Sequence, residues 1–160
     1  MREGLTGTKH FGLDEKRLSA ALRQIASGEL SSFSGKRATK LVQTVGTGVT
    51  KLEALGAWMR FGGLVTRSRD GVQLSALGRC LYQWDGELSD DATWWVLHWQ
   101  LANNYLVWRV LSRLPQGRHE VSHIEQALQQ LSPEASVSTI KNARLALMAA
   151  LAGEPIREKL

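Results

Sequence analysis

The fold is decided by the stretch GTGVTKLEALGAWMRFGGLVTRSRDGVQL, residues 46–74. A tight Gly46-Thr47-Gly48 turn opens it. Val49, Leu52, Leu55, Gly56 and Met59 then recur at helical spacing until Gly62-Gly63 stops the helix. Residues 64–69 read as a strand, Asp70-Gly71 as a type I′ turn and Val72 to Leu74 as the returning strand. A helix followed at once by a hairpin reads as a recognition helix and its wing. Upstream, Leu18, Ala21, Leu22 and Ile25 give a helix ended by Gly28. Ser34 caps a second helix, through Ala38, Leu41, Val42 and Val45. Two helices joined by a short Gly turn form a helix-turn-helix, and Leu77 to Tyr82 adds a further helical segment.

The expected fold is mainly α: an N-terminal winged helix-turn-helix with a small β-hairpin wing, packed on a C-terminal Trp-rich helical bundle. The two halves are residues 1–84 and 85–160, sharing or adjoining one core. In the second half Asp90 or Asp91 caps a long helix with Trp94, Leu97, Leu101, Tyr105 and Trp108 on one face and Trp95 and Trp99 on a neighbouring one. A helix apolar over most of its circumference is expected to be buried, and packing is the simplest role for its tryptophans. Helices over 122–131 and 137–151 complete the chain, with Ser132-Pro133 between them.

A chain of 160 residues with a net charge of +5 is one ordinary globular domain by size. Its charge is polarised. From Lys16 to Arg79 eleven Lys and Arg face three acids, whereas Cys80 to Gln100 holds four acids and no Lys or Arg. The basic half is the candidate surface for a polyanion, nucleic acid above all. Lys36, Arg37 and Lys40 begin the second helix, where cation and helix N-terminus both suit phosphate. Thr47 and Lys51 share a face with Ala54 and Trp58 that is expected to enter a major groove. Arg67 and Arg69 on the wing reach backbone or minor groove. Lys141 and Arg144 are secondary phosphate contacts.

Cys80 is the only cysteine, which excludes an internal disulfide and a four-thiolate zinc site and fits a reducing cytoplasm. No membrane segment is expected: the apolar run over 94–111 contains His98, Gln100, Asn103, Asn104 and Arg109. Gly35-Lys36 is not a phosphate loop, because Arg37 replaces the required Ser or Thr and Leu30 stands in place of the first Gly. His119 and His123 lack the adjacent Glu of a zinc protease motif. The acids Asp85, Glu87, Asp90 and Asp91 leave two readings: ligands for Mg²⁺ in phosphodiester cleavage, with Asp85, Asp90 and Asp91 foremost, or a turn at Asp85-Gly86 and helix caps at Asp90 and Asp91.

The stretch TWWVLHWQLANN, residues 93–104, resembles the "LWLLHWQLASN"-like helix of the SspB-like family, domain of unknown function 4007. Residues 45–64 are similar to its "GVGKNMVRSIRYWL" stretch, residues 74–78 to its "TPLG", and residues 138–141 to its "STLK". At the family's opening "GHETF"-like motif this chain has Lys9-His10-Phe11-Gly12. The resemblance implies a DNA-nicking component of a bacterial single-stranded DNA phosphorothioation system, a phage defence. It also implies a cysteine desulfurase, an ATPase and a sulfurtransferase-like protein as partners; taken with the basic half and the acidic run, the leading expectation is Mg²⁺-dependent nicking of double-stranded DNA. The resemblance transfers no catalytic residues. The alternative is a non-catalytic winged-helix adaptor or transcription regulator; a third reading is a scaffold whose wing docks protein. A homodimer is open to any winged helix, although no heptad in this sequence specifies one.

Overall fold

The computed structural model describes residues 5–34, 48–111, 113–115 and 117–152. Six α-helices and one two-stranded sheet are present among them. Asp14 caps α1 (Glu15–Ala26) by accepting the Arg17 N–H at 2.9 Å, and Leu18, Ala21, Leu22 and Ile25 are buried along one face. The expected second helix and the Gly46-Thr47 part of the turn lie outside the described residues. Helix α2 spans Val49–Phe61 with Gly48 as its N-cap and Gly62 as its C-cap. Strands β1 (Val65–Ser68) and β2 (Gly71–Leu74) are antiparallel and pair Val65 with Leu74 and Ser68 with Gly71.

That register moves the hairpin loop by one residue from the expected Asp70-Gly71 to Arg69-Asp70. Neither loop residue has a positive φ, so a type I′ turn is not formed; Gly71 alone carries one, at +122°. Ser68 stitches the loop, its hydroxyl donating to the Gly71 carbonyl and accepting the Asp70 N–H. Gly71 also permits a close approach. Val72 donates its N–H to the Ser31 carbonyl at 2.9 Å, and a Cβ on Gly71 would lie 2.3 Å from that same oxygen. The segment after α1 thus runs beside the hairpin.

Ser75 then caps α3 (Ala76–Asp85), and Asp90 caps α4 (Asp91–Asn104). The last two helices are α5 (Val121–Leu131) and α6 (Val137–Ala152). Helix α4 ends earlier than its apolar pattern predicts. Tyr105 is extended (φ −116°, ψ 112°), and Trp108 to Val110 form a 3₁₀ turn. Arg109 reaches back to donate to the Ala102 and Asn103 carbonyls, satisfying the open C-terminal end of α4.

The early stop carries Tyr105 and Trp108 into the core beside α2. The Trp58 ring meets Tyr105 edge-on at 5.2 Å and Trp108 at 6.1 Å, while Phe61 stacks on Tyr105 at 4.4 Å. The N-terminal segment closes this cluster. Phe11 accepts the Trp58 indole N–H at 2.9 Å, and the hydroxyls of Thr8 and Tyr105 are 2.6 Å apart. Buried side chains from both sides of residue 85 therefore pack into one core.

Not every tryptophan belongs to it. Trp58, Trp94 and Trp108 are buried, but Trp84, Trp95 and Trp99 are 67%, 55% and 68% exposed. The expectation that α4 is buried around most of its circumference is corrected. Its Trp94/Leu97/Leu101 face is inside and its Trp95/Trp99 face is outside, because only one side of α4 meets neighbouring elements.

Burial pushes the Tyr105 phenol up to about 12, so it stays a neutral hydrogen-bonding group. Tyr105→Phe should cost about 1–3 kcal/mol in urea unfolding, because it leaves the fully buried Thr8 hydroxyl unpaired. Adding Thr8→Val should recover part of that loss. A double variant less stable than Tyr105→Phe would show that the hydroxyl pair is not the source of the effect.

Candidate nucleic-acid interface

The residues expected to contact DNA fall into three groups. Lys36, Arg37, Lys40 and Thr47 lie outside the described residues. Lys51 is exposed in the first turn of α2, its ammonium 5.7 Å from the centre of the Phe11 ring. Arg67 on β1 and Arg69 in the hairpin loop are exposed as well.

The α2 face expected to enter a major groove is not open. Ala54 is fully buried and Trp58 is 2% exposed. Residues 5–13 account for this: Gly7 packs on Ala57, Phe11 accepts from Trp58, and Lys9 pairs with Glu53 at 2.9 Å. On the other side the Phe33 ring fills the space above Gly56, where a Cβ would lie 2.5 Å from it. What α2 presents to solvent is its first turn (Val49, Thr50 and Lys51) and, near its end, Arg60.

A groove of about 500 Å³ lies between the end of α2, the hairpin and the segment after α1. Arg60, Arg67, Ser31, Ser34, Glu53 and Val72 are among its lining residues. The sequence reading missed Arg60 and the serines. Of these residues the sequence singled out only Ser34, as a helix cap. Only the three-dimensional pairing of Ser31 with Val72 brings them beside Arg67.

The acidic residues resolve into structural roles. Both oxygens of Asp85, at the end of α3, accept hydrogen bonds: Oδ1 from the Ser89 N–H at 2.9 Å and its hydroxyl at 3.2 Å, Oδ2 from the Asp90 N–H at 2.9 Å. Asp90 accepts the Ala92 N–H at 2.8 Å as the N-cap of α4, and Asp91 occupies that helix's first turn. Glu87 pairs with Arg23 at 2.7 Å and tethers the loop to α1. Among the described residues no three His, Cys, Asp or Glu side chains are grouped to hold a metal ion. The hydrogen bonds of Asp85 and Asp90 are those of a turn and a helix cap. Arg144, expected to face outward toward phosphate, instead pairs with Glu125 at 2.9 Å; Lys141 is exposed.

His98 has a partner of a kind the sequence did not indicate. The Trp108 indole N–H donates to its Nδ1 at 3.0 Å, which requires the neutral ring protonated on Nε2. Burial lowers its pKa and favours the same state. It is a core histidine.

A family model, described as protein of unknown function (DUF4007), matches residues 5–146. The chain belongs to this family. Two solved structures are similar in fold. One is a magnesium ion-bound SspB (TM-score 0.75, 19% identity) and one is SspB itself (TM-score 0.72, 18% identity). Each alignment covers 96% of this chain but only 54% and 55% of the SspB chains, so the chain spans about half their length. No protein of curated function matches it. No helix among the described residues is long and apolar enough to cross a membrane.

Asp85 supplies a pH-dependent contribution that checks its assigned role. Burial alone would raise its pKa, but hydrogen bonds from the Asp90 N–H, the Thr93 hydroxyl and Ser89 together bring it below the usual 3.8. A depressed native pKa stabilises the fold above pH 3.8 and loses that contribution as pH falls through the lower native value. Asp85→Asn should cost about 1–3 kcal/mol at neutral pH. The gap to wild type in thermal melts should narrow below pH 3.8. A gap that stayed constant with pH would remove the ionised carboxylate from the account.

Proposed function

We propose that this chain is a DNA-contacting component of a bacterial DNA phosphorothioation system, binding duplex DNA through a winged-helix surface. The observation that carries the reading is the exposure of Lys51 on the first turn of α2 and of Arg67 and Arg69 on the hairpin that follows the helix. The hydrogen bond from Val72 to Ser31 supports a wing anchored on the segment after α1. Family membership and the SspB-like fold support the system-level assignment; the working partners we propose, a cysteine desulfurase, an ATPase and a sulfurtransferase-like protein, follow from the sequence resemblance alone.

In this reading phosphate contacts dominate. Along α2, whose Ala54 and Trp58 are packed away, the first turn is the described part left to reach base edges. Affinity should fall steeply with salt as bound cations are released from the duplex. On this reading the chain binds and positions DNA, and Asp85 and Asp90 serve as turn and helix caps.

A second reading, Mg²⁺-dependent nicking by this chain, is favoured by one observation: an SspB of similar fold is described as magnesium ion-bound. A supercoiled plasmid separates the two. Salt-sensitive retardation with no conversion to open circles, in Mg²⁺ or in chelator, is the expected result. Metal-dependent open circles would favour the second reading.

Lys51→Glu combined with Arg69→Glu should weaken binding to all duplex sequences by tenfold or more and reduce the salt slope by about two, following one released counterion per lost phosphate contact. Fluorescence anisotropy across a salt series measures both. An unchanged slope would remove these two side chains from the interface.

A further inference from the structure

We propose that the groove between Ser31–Ser34, the end of α2 and β1 is a phosphate-binding site in which Arg60 and Arg67 hold the anion. The site deepens the DNA-contact reading and rests on it only for the source of the phosphate.

Three features argue for an anion. Arg60 and Arg67 come from different elements and line the same groove of about 500 Å³. Guanidinium forks suit a phosphate, whose oxygens can accept from two directions at once. Arg67 makes no ion pair or side-chain hydrogen bond with another described residue. The one carboxylate in the lining, Glu53, is held by Lys9 at 2.9 Å, so its charge is already compensated.

The serines divide into framework and donors. Ser32 donates to the Ser34 carbonyl and accepts the Ser34 N–H, and Ser68 stitches the hairpin loop; both hydroxyls are engaged in holding the walls. The hydroxyls of Ser31 and Ser34 make no hydrogen bond to other described residues and are available to phosphate oxygens. The walls are held together by the Val72–Ser31 hydrogen bond and by the close contact that Gly71 allows. Half-buried Val72 gives the groove an apolar surface. At 500 Å³ the space admits a phosphate ester with its sugar as well as the bare ion. The phosphate can therefore belong to a DNA backbone or to a free phosphate compound.

Two measurements on the full chain test this. In the first, arginine Nε–H signals of the ¹⁵N-labelled protein are followed while inorganic phosphate is added, with sodium chloride at matched ionic strength as control. The Arg60 and Arg67 signals, assigned from Arg60→Gln and Arg67→Gln, should move with phosphate and not with chloride. In the second, each variant should bind a short duplex about tenfold more weakly and lose about one unit of salt slope.

Wild-type duplex binding, retained in both variants, with signals indifferent to phosphate, would overturn the site and leave the DNA reading standing. No duplex binding by wild type, with phosphate still moving both arginines, would support the site with free phosphate as the source and refute the DNA reading. Poly-glutamate shifting both signals as strongly as phosphate at equal ionic strength would overturn the assignment to phosphate, leaving a surface for acidic protein segments.

Discussion

The fold depends on keeping Trp58 dry and paired. Its indole N–H is aimed at the Phe11 carbonyl, and its ring receives Tyr105 and Trp108 edge-on. A buried N–H without an acceptor costs more than an ordinary hydrogen bond contributes. The N-terminal segment must therefore lie across α2, and α4 must stop where Tyr105 and Trp108 can turn inward. Each requirement has a local solution: Thr8 pairs with the Tyr105 hydroxyl, and Arg109 closes the carbonyls left open at the end of α4. The residues on either side of position 85 are thereby joined through contacts that neither side could make alone.

Periodicity made most of the helices legible. α1, α2, α5 and α6 lie within a residue or two of where their apolar spacing and caps put them: α1, α5 and α6 have one dominant buried stripe, and α2 is bounded by Gly48 and Gly62. The same logic failed where a helix is buried on two sides. Ala54 and Trp58 lie opposite the recognised stripe of α2, and spacing carries no information about a second neighbour arriving from residues 5–13. It failed in the other direction on α4, where Trp95 and Trp99 look like core by composition and are exposed by geometry. The hairpin was visible but its turn was misplaced by one residue. Asp70-Gly71 is a strong local signal, yet Gly71 is needed in the strand, where a side chain would collide with Ser31.

The candidate site was legible in charge and illegible in arrangement. Counting cations finds the basic half, and the hairpin places Arg67 and Arg69 on it. The partner of Arg67 across the groove, Arg60, is set by the crossing of Ser31 with Val72, which no sequence spacing encodes. The acidic run was open to two readings in sequence, a metal site or a turn with helix caps, and the structure gives Asp85, Asp90 and Glu87 hydrogen-bonding and ion-pairing partners of the second kind. Leu88 explains why those partners are needed. It is fully buried with φ +58°, a conformation costly for a side chain of its kind, and its carbonyl accepts the Trp94 indole N–H at 2.7 Å.

The burial of α2 has a consequence for how a surface of this kind can recognise DNA. A recognition helix exposed along its length reads several base pairs through bidentate contacts, each contributing discrimination. Here Glu53 is tied to Lys9, Ala54 and Trp58 face inward, and Arg60 turns to the groove beside the hairpin. One turn of helix, with Thr50 and Lys51 exposed, remains for base edges. On the proposed DNA-contact reading, the described residues would draw mainly on phosphate position and groove shape, the part of binding that orients a protein on a duplex without selecting a long sequence. For a subunit that positions DNA for other proteins, contact with the backbone is the more useful property, since it holds wherever the partners have to act.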